Sequence, residues 1–379
     1  MRIRPFALER YFAQHEFEVQ HSLCSSDCES LAVSDVLALE PGVRAQFDRL
    51  QLSYTESPGN PSLRREICGL YRTIAPEQVL VHTGAEEAIF LFMHAVLAAG
   101  DHVIVHWPCY QSLQEVARSI GCDVSPWQAC EDAGWSLDVG DLERSIRPRT
   151  KAIIINTPHN PTGYHMSLDM LQGVCRFAQA NGLLLFSDEV YRESEYQPQD
   201  RLPGACDLGD FAISLGVLSK TYGLAGLRTG WIATRNAEVY AAIARLKDYT
   251  TICNSAPSEF LAEIALRHRD QLAKRNVGII MRNLDLLDPF FEQWSDRLAW
   301  QRPQAGPVAF PQLLGEEVVS FCSALAKTES VLLLPGTVFD DQENHFRIGF
   351  GREDLPEALA RLDRFLRRSA SEHVQRVEE

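Results

Sequence analysis

Residues 151–191, KAIIINTPHNPTGYHMSLDMLQGVCRFAQANGLLLFSDEVY, hold two short apolar runs with one amphipathic stretch between them. Neither KAIIIN nor LLLF alternates as a half-solvated strand would, so both read as strands buried on both faces. The intervening SLDMLQGVCRFAQANG opens on Ser167, whose hydroxyl suits a helix N-cap, and closes at Gly182. Strand, helix and strand in that order give a parallel pair joined by a right-handed crossover.

The same grammar extends in both directions. Upstream, QVLVHTG (78–84) and HVIVHWP (102–108) flank the helical EEAIFLFMHAVLAAG; downstream come FAISLGVLSK (211–220) and TGWIATR (229–235). The pattern predicts an α/β domain over residues 46–250, a mainly parallel sheet flanked by helices. After residue 250 the segments lengthen into SEFLAEIALRHRDQLAKRNVGIIMRNLDLLDPFFEQW, EEVVSFCSALAK and LPEALARLDRFLRRSA, with short strand candidates in SVLLLPG and HFRIGFG. This reads as a small α+β domain over 251–379. Residues 1–45 fit neither repeat and are expected to pack with it or across the mouth of the site the sheet builds.

Composition narrows the function. Among 379 residues, 36 Lys and Arg face 51 Asp and Glu, a net charge of −15 that repels nucleic-acid backbones and anionic lipid. No apolar run approaches the roughly 20 residues needed to span a bilayer. The opening MRIRPFALERYFAQHEFE is charged where a secretion leader would be apolar, so the expected location is the cytoplasm. Ten scattered cysteines read as free thiols of a reducing compartment. Cys24 and Cys28 lack the second ligand pair of a zinc site, and no metal is expected.

In doubly wound sheets the working groups lie beyond the carboxyl ends of the strands. Thr83-Gly84-Ala85-Glu86-Glu87 runs from a strand into a helix, where free N–H groups suit a phosphate. Tyr110 offers a ring face. The turn cluster 156–163 carries Asn160, and Asp188 ends LLLF as a buried carboxylate that needs a cation, such as a pyridinium nitrogen. Ser219-Lys220 ends the next strand, where a desolvated amine can form a Schiff base, and Arg228 follows with the geometry to clamp a phosphate. Each residue also has a plain structural reading; their convergence on one cofactor, from five separate strand ends, is what carries the argument.

Together NTPHNPTG (156–163), SDEVY (187–191), SKTYGLAGLRTGW (219–231) and FRIGFG (346–351) resemble the class I and II aminotransferases, fold-type I enzymes of pyridoxal 5'-phosphate (PLP). The resemblance runs colinearly from Tyr54 to Arg347 and implies the PLP-dependent transferase, aspartate aminotransferase-like fold. It implies that Lys220 is the catalytic lysine and binds PLP as a Schiff base, and that Asp188 partners the pyridine nitrogen. Asn160 and Tyr191 would hold the 3′ oxygen. Ala85, Glu86, Ser219 and Arg228 would hold the phosphate, and Tyr110 would stack on the ring. Tyr54, in YTESPGNPSLR, would cross to the neighbouring site of a homodimer, and Arg347, with Asn160, would grip the substrate α-carboxylate. The implied reaction moves an amino group from an amino acid to a keto acid through a quinonoid intermediate.

Two departures stand out. Val217 occupies the place where many relatives carry a phosphate-binding serine, leaving Ser219 or a loop hydroxyl to substitute. Leu23-Cys24-Ser25-Ser26-Asp27-Cys28 stands where many relatives have a glycine-rich loop. It reads either as a polar cover, in which Asp27 meets a cationic substrate group, or as turn and capping residues. A looser likeness, in YFAQHEFE, the SSD segment, PCYQSL and Pro126-Trp127, is to capreomycidine synthase and implies β-elimination with cyclisation as the alternative chemistry. A non-catalytic PLP-binding sensor is a third reading. Against it, about 45 residues ahead of the fold leave no room for a DNA-binding module and linker, and the charge is wrong for DNA.

Overall fold

The computed structural model describes residues 2–377, with side chains through Arg368. At its centre is a seven-stranded sheet: β1 (Val79–His82), β2 (His102–Trp107), β3 (Asp123–Gln128), β4 (Thr150–Asn156), β5 (Leu184–Asp188), β6 (Ala212–Val217) and β7 (Gly230–Thr234). The spatial order is β1-β7-β6-β5-β4-β2-β3. Only β7 runs antiparallel to its neighbours, β1 and β6; the other pairs are parallel. The continuous apolar runs are strands buried along nearly their whole length, and each fully buried Ile of β4 contributes about 1.5–3 kcal/mol relative to exposure.

The helix between β4 and β5 spans Leu168–Ala180, its first turn closed by Ser167, whose Oγ accepts from Met170 N at 3.1 Å. The helix after β1 spans Ala85–Val96, and its Phe92 ring stacks on Phe186 of β5 at 4.4 Å between centroids. β3 is the strand that apolar runs do not reveal. It carries Pro126 and an exposed Asp123 at the sheet edge, where a missing backbone donor is tolerated.

A second layer gathers both ends of the chain. Residues 256–293, continuous in sequence pattern, divide at His268 into helices Ala256–Arg267 and Arg269–Gln293. The strand Phe346–Gly349 lies between Val308–Ala309 and Leu334–Pro335, antiparallel to both. The amino-terminal segment makes two sets of contacts. His21–Ser22 pairs in parallel with Val331–Leu332. The helix Ala7–His15 leans on the sheet, its Ala7 N–H donating to Gln111 Oε1 at 2.8 Å and Phe6 lying 5.1 Å from the Tyr110 ring. All ten cysteines are unpaired thiols. Among the described residues no helix is long and apolar enough to cross a membrane.

Candidate active site

A cavity of about 210 Å³ opens at the carboxyl ends of the parallel strands, lined by Ala85, Glu86, Tyr110, Asn160, Asp188, Tyr191, Ser219, Lys220 and Arg228 together with Glu9, Asn156 and Val217. Asp188 is the last residue of β5 and buried. It accepts a hydrogen bond from Val190 N at 3.2 Å and is in no ion pair among the described residues. Burial pushes its carboxyl up to about 7, against the opposing pull of Val190 N–H and Lys220. Lys220 follows β6, and desolvation lowers the basicity of its amine; Nζ lies 5.8 Å from the centre of the Tyr191 ring. β5 and β6 are neighbours in register, which brings the carboxyl and the amine to one cavity floor.

The loop after β4 is locked by its own asparagines. Asn156 Nδ2 donates to Asp188 O at 3.0 Å while its Oδ1 accepts from Asn160 N at 2.7 Å. Asn160 Oδ1 in turn accepts from Arg347 Nη1 at 3.0 Å. Arg347 is buried, its Nε and Nη2 donating to Cys24 O at 3.1 and 2.8 Å, with the guanidinium 5.6 Å from the Phe339 ring. At the other end, Gly84 caps the helix Ala85–Val96 at φ 82°. A Cβ there would stand 2.7 Å from Arg228 Nη2 and push that guanidinium aside, and the positive φ is one that favours glycine. Burial also pushes the Glu86 carboxyl up to about 7.

The pattern that defines the aminotransferase class I and II family matches residues 19–362. The chain belongs to that family. It is similar to a PLP-dependent aminotransferase from Streptococcus suis, at 32% identity and a TM-score of 0.91 over 97% of this chain and 99% of that one. It is 27% identical to capreomycidine synthase from Streptomyces vinaceus over 94% of this chain and 92% of that protein. It is also 27% identical to an aspartate aminotransferase from Thermotoga maritima over 83% of this chain and 84% of that protein. The chain has the aspartate aminotransferase-like fold and is a PLP-dependent aminotransferase acting on amino acids and keto acids.

The cavity of this aminotransferase fits PLP. Tyr191 lines it with a buried hydroxyl, Asp188 is a buried carboxyl awaiting a cation, and the Gly84 gap with Arg228 at its rim suits a phosphate at a helix start. Tyr54 lies outside its own chain's cavity and is 88% exposed. Arg347 reaches the site through Asn160 rather than lining the cavity itself.

Asp27 is paired within the protein: Arg352 Nη2 donates to both of its carboxylate oxygens, at 2.9 and 3.1 Å, so a cationic substrate group would have to share it with that arginine. Glu9, Asn156 and Ser26 were not singled out from sequence. Glu9 sits on a helix far from any motif, Asn156 reads as one turn residue among several, and Ser26 acquires its meaning only from a partner 194 residues away.

Proposed function

We propose that this aminotransferase carries its cofactor on Lys220 Nζ and completes both halves of amino-group transfer in the one cavity. The observation that carries the reading is the pair at its floor: a buried carboxyl in no ion pair among the described residues, Asp188, beside an amine whose charge burial disfavours, Lys220. PLP, when bound, supplies an aldehyde that condenses with amines and a ring that takes up the electron pair left at Cα. Asp188 holds a proton on the ring nitrogen, so that one buried charge answers the other. Asn160 and Tyr191 bind the 3′ oxygen, and Tyr110 stacks on the ring face. The N–H groups of Ala85 and Glu86, the Ser219 hydroxyl and the Arg228 guanidinium bind the phosphate. With Val217 in the serine's place, Ser219 supplies the hydroxyl.

Arg347, steadied by Asn160, takes the α-carboxylate in a bidentate grip. Lys220 Nζ would serve as the general base and acid that takes up and returns the substrate's Cα proton. The Ala7–His15 helix and the 23–28 segment cover the mouth and limit water there.

Tyr54 serves the partner's site in a homodimer whose active sites lie at the interface. Exposed Leu52, Tyr54, Tyr249 and Ile252 supply an apolar surface for such a contact. Thr55 Oγ1 to Asn254 O at 3.0 Å and Ser57 Oγ to Asp248 Oδ1 at 3.1 Å tie the two exposed segments together. We also assign a large domain to 46–250 and a small one to 1–45 with 251–379, and place the enzyme in the cytoplasm, where its free thiols stay reduced.

The test mixes holoenzyme with one amino acid and no keto acid. Aminated cofactor and keto acid should form in equal amounts and stop at one equivalent per site. Regeneration of PLP with release of an eliminated or ring-closed product would overturn the reading in favour of elimination and cyclisation.

A further inference from the structure

We propose that Ser26 is a positioning residue for Lys220, its hydroxyl holding the ε-amine whenever that amine is free of the cofactor. The inference rests on the reading of Lys220 given above. Lys220 Nζ donates to Ser26 Oγ at 2.8 Å, the one hydrogen bond Nζ makes among the described residues. A lysine released from the cofactor has four rotatable bonds and sits among charges: burial disfavours its ammonium form most, Asp27, Asp188 and Glu9 favour that form, and Arg347 opposes it. A hydroxyl suits this post because it accepts from the ammonium and, after rotating, donates to the neutral amine.

Ser26 can hold the amine because its own backbone is pinned on both sides. Gly349 N donates to Leu23 O at 2.9 Å, and Arg347 donates twice to Cys24 O. On the far side Arg352 grips Asp27, and Glu29 N donates to Gly351 O at 2.8 Å. The segment lies so close to this strand that a Cβ on Gly349 would stand 1.9 Å from Ser25 O and one on Gly351 2.4 Å from Asp27 O. The two glycines of FRIGFG are therefore the seat of the segment. The arginine assigned to the substrate carboxylate is also one of its anchors, so the base and the carboxylate site are set by one piece of backbone.

The test compares Ser26→Ala, Ser26→Thr and, as a control on the same segment, Ser25→Ala, whose hydroxyl bonds Ser22 Oγ at 2.9 Å rather than Lys220. In the aminated enzyme Lys220 is free, and its acetylation rate against pH, read by peptide mass mapping, reports its basicity without turnover. Losing an acceptor for the ammonium form should move the midpoint down by roughly half a pH unit or more in Ser26→Ala. Single-turnover Cα deprotonation should slow roughly tenfold with an increased deuterium isotope effect, while KM and PLP content stay near wild type. Ser26→Thr should restore both, and Ser25→Ala should alter neither. An unchanged midpoint and rate in a PLP-replete Ser26→Ala enzyme would overturn the proposal, as would a PLP-replete Ser26→Thr that fails to restore them. Equal acetylation of Lys220 in the PLP-loaded and aminated forms would instead overturn the assignment of Lys220 itself.

Discussion

Arg347 Nη1 donates a 3.0 Å hydrogen bond to Asn160 Oδ1 across 187 residues of chain. The bond joins the loop proposed to hold the cofactor to the strand whose arginine is proposed to take the substrate carboxylate. Because Asn160 N is itself held by Asn156 Oδ1, and Arg347 also donates twice to Cys24 O, the arginine is oriented by two fixed stretches of backbone. A change at Asn160, which belongs to both proposed sites, should therefore register in both, whereas a change at Arg347 should register in the substrate site.

Asn160→Ala removes the acceptor and leaves a buried guanidinium short of one partner. Losing a hydrogen bond to a charged group costs about 1.5–3 kcal/mol, so kcat/KM should fall roughly ten- to hundredfold. PLP should also dissociate faster, which a dilution experiment followed by absorbance would show. Normal PLP retention would separate Asn160 from the cofactor.

Arg347→Ala should cost more, several hundredfold in kcat/KM or about 3–4 kcal/mol, because a bidentate, desolvated pair is lost whole. PLP content should be unaffected. Preference for the best amino acid over its amine lacking the carboxylate should collapse in the variant; a preserved preference would assign the carboxylate to another residue.

Borohydride reduction of the holoenzyme should leave the pyridoxyl mass on the peptide that contains Lys220. Lys220→Ala should carry no label there and should fail to exchange the Cα proton. A label on another lysine ends the assignment.

The sheet and its strand-end residues were legible because the chemistry there needs particular side chains at particular places. A carboxylate after LLLF and a lysine after FAISLGVLS are costly to bury without a use. What stayed hidden depends on distant partners. Asp27 reads as available until Arg352, 325 residues on, is seen to hold it. Gly349 and Gly351 look like ordinary strand glycines, since the reason for each lies in the backbone of residues 25–27 packed against it. β3 escaped for a local reason: Pro126 and alternating exposure suit an edge strand and spoil the apolar run by which the buried strands announce themselves.

Tyr54 should act in the partner's site. Mixing inactive Lys220→Ala with inactive Tyr54→Ala chains should restore part of the activity, since a hybrid dimer holds one intact site. Subunit exchange shown by mass, with no recovery, would confine Tyr54 to its own chain.

Asp188 should make the PLP-free protein lose stability as pH rises. Burial raises its folded-state carboxyl from an ordinary 3.8 to about 7, so between those values the folded chain keeps a proton that the unfolded chain has released. Stability therefore falls with rising pH across that window, by up to about 4 kcal/mol for this group, and levels off above it. Asp188→Asn is neutral throughout. Without PLP the variant should match wild type near pH 4 and melt several degrees higher at pH 8. With PLP the order should reverse at pH 8, because only the carboxylate gains a pyridinium partner, and each protein's rise in Tm on adding cofactor measures that gain directly. Equal rises in the two proteins would mean that Asp188 does not face the ring nitrogen. Parallel Tm–pH curves without PLP would mean that its carboxyl is not held protonated by burial.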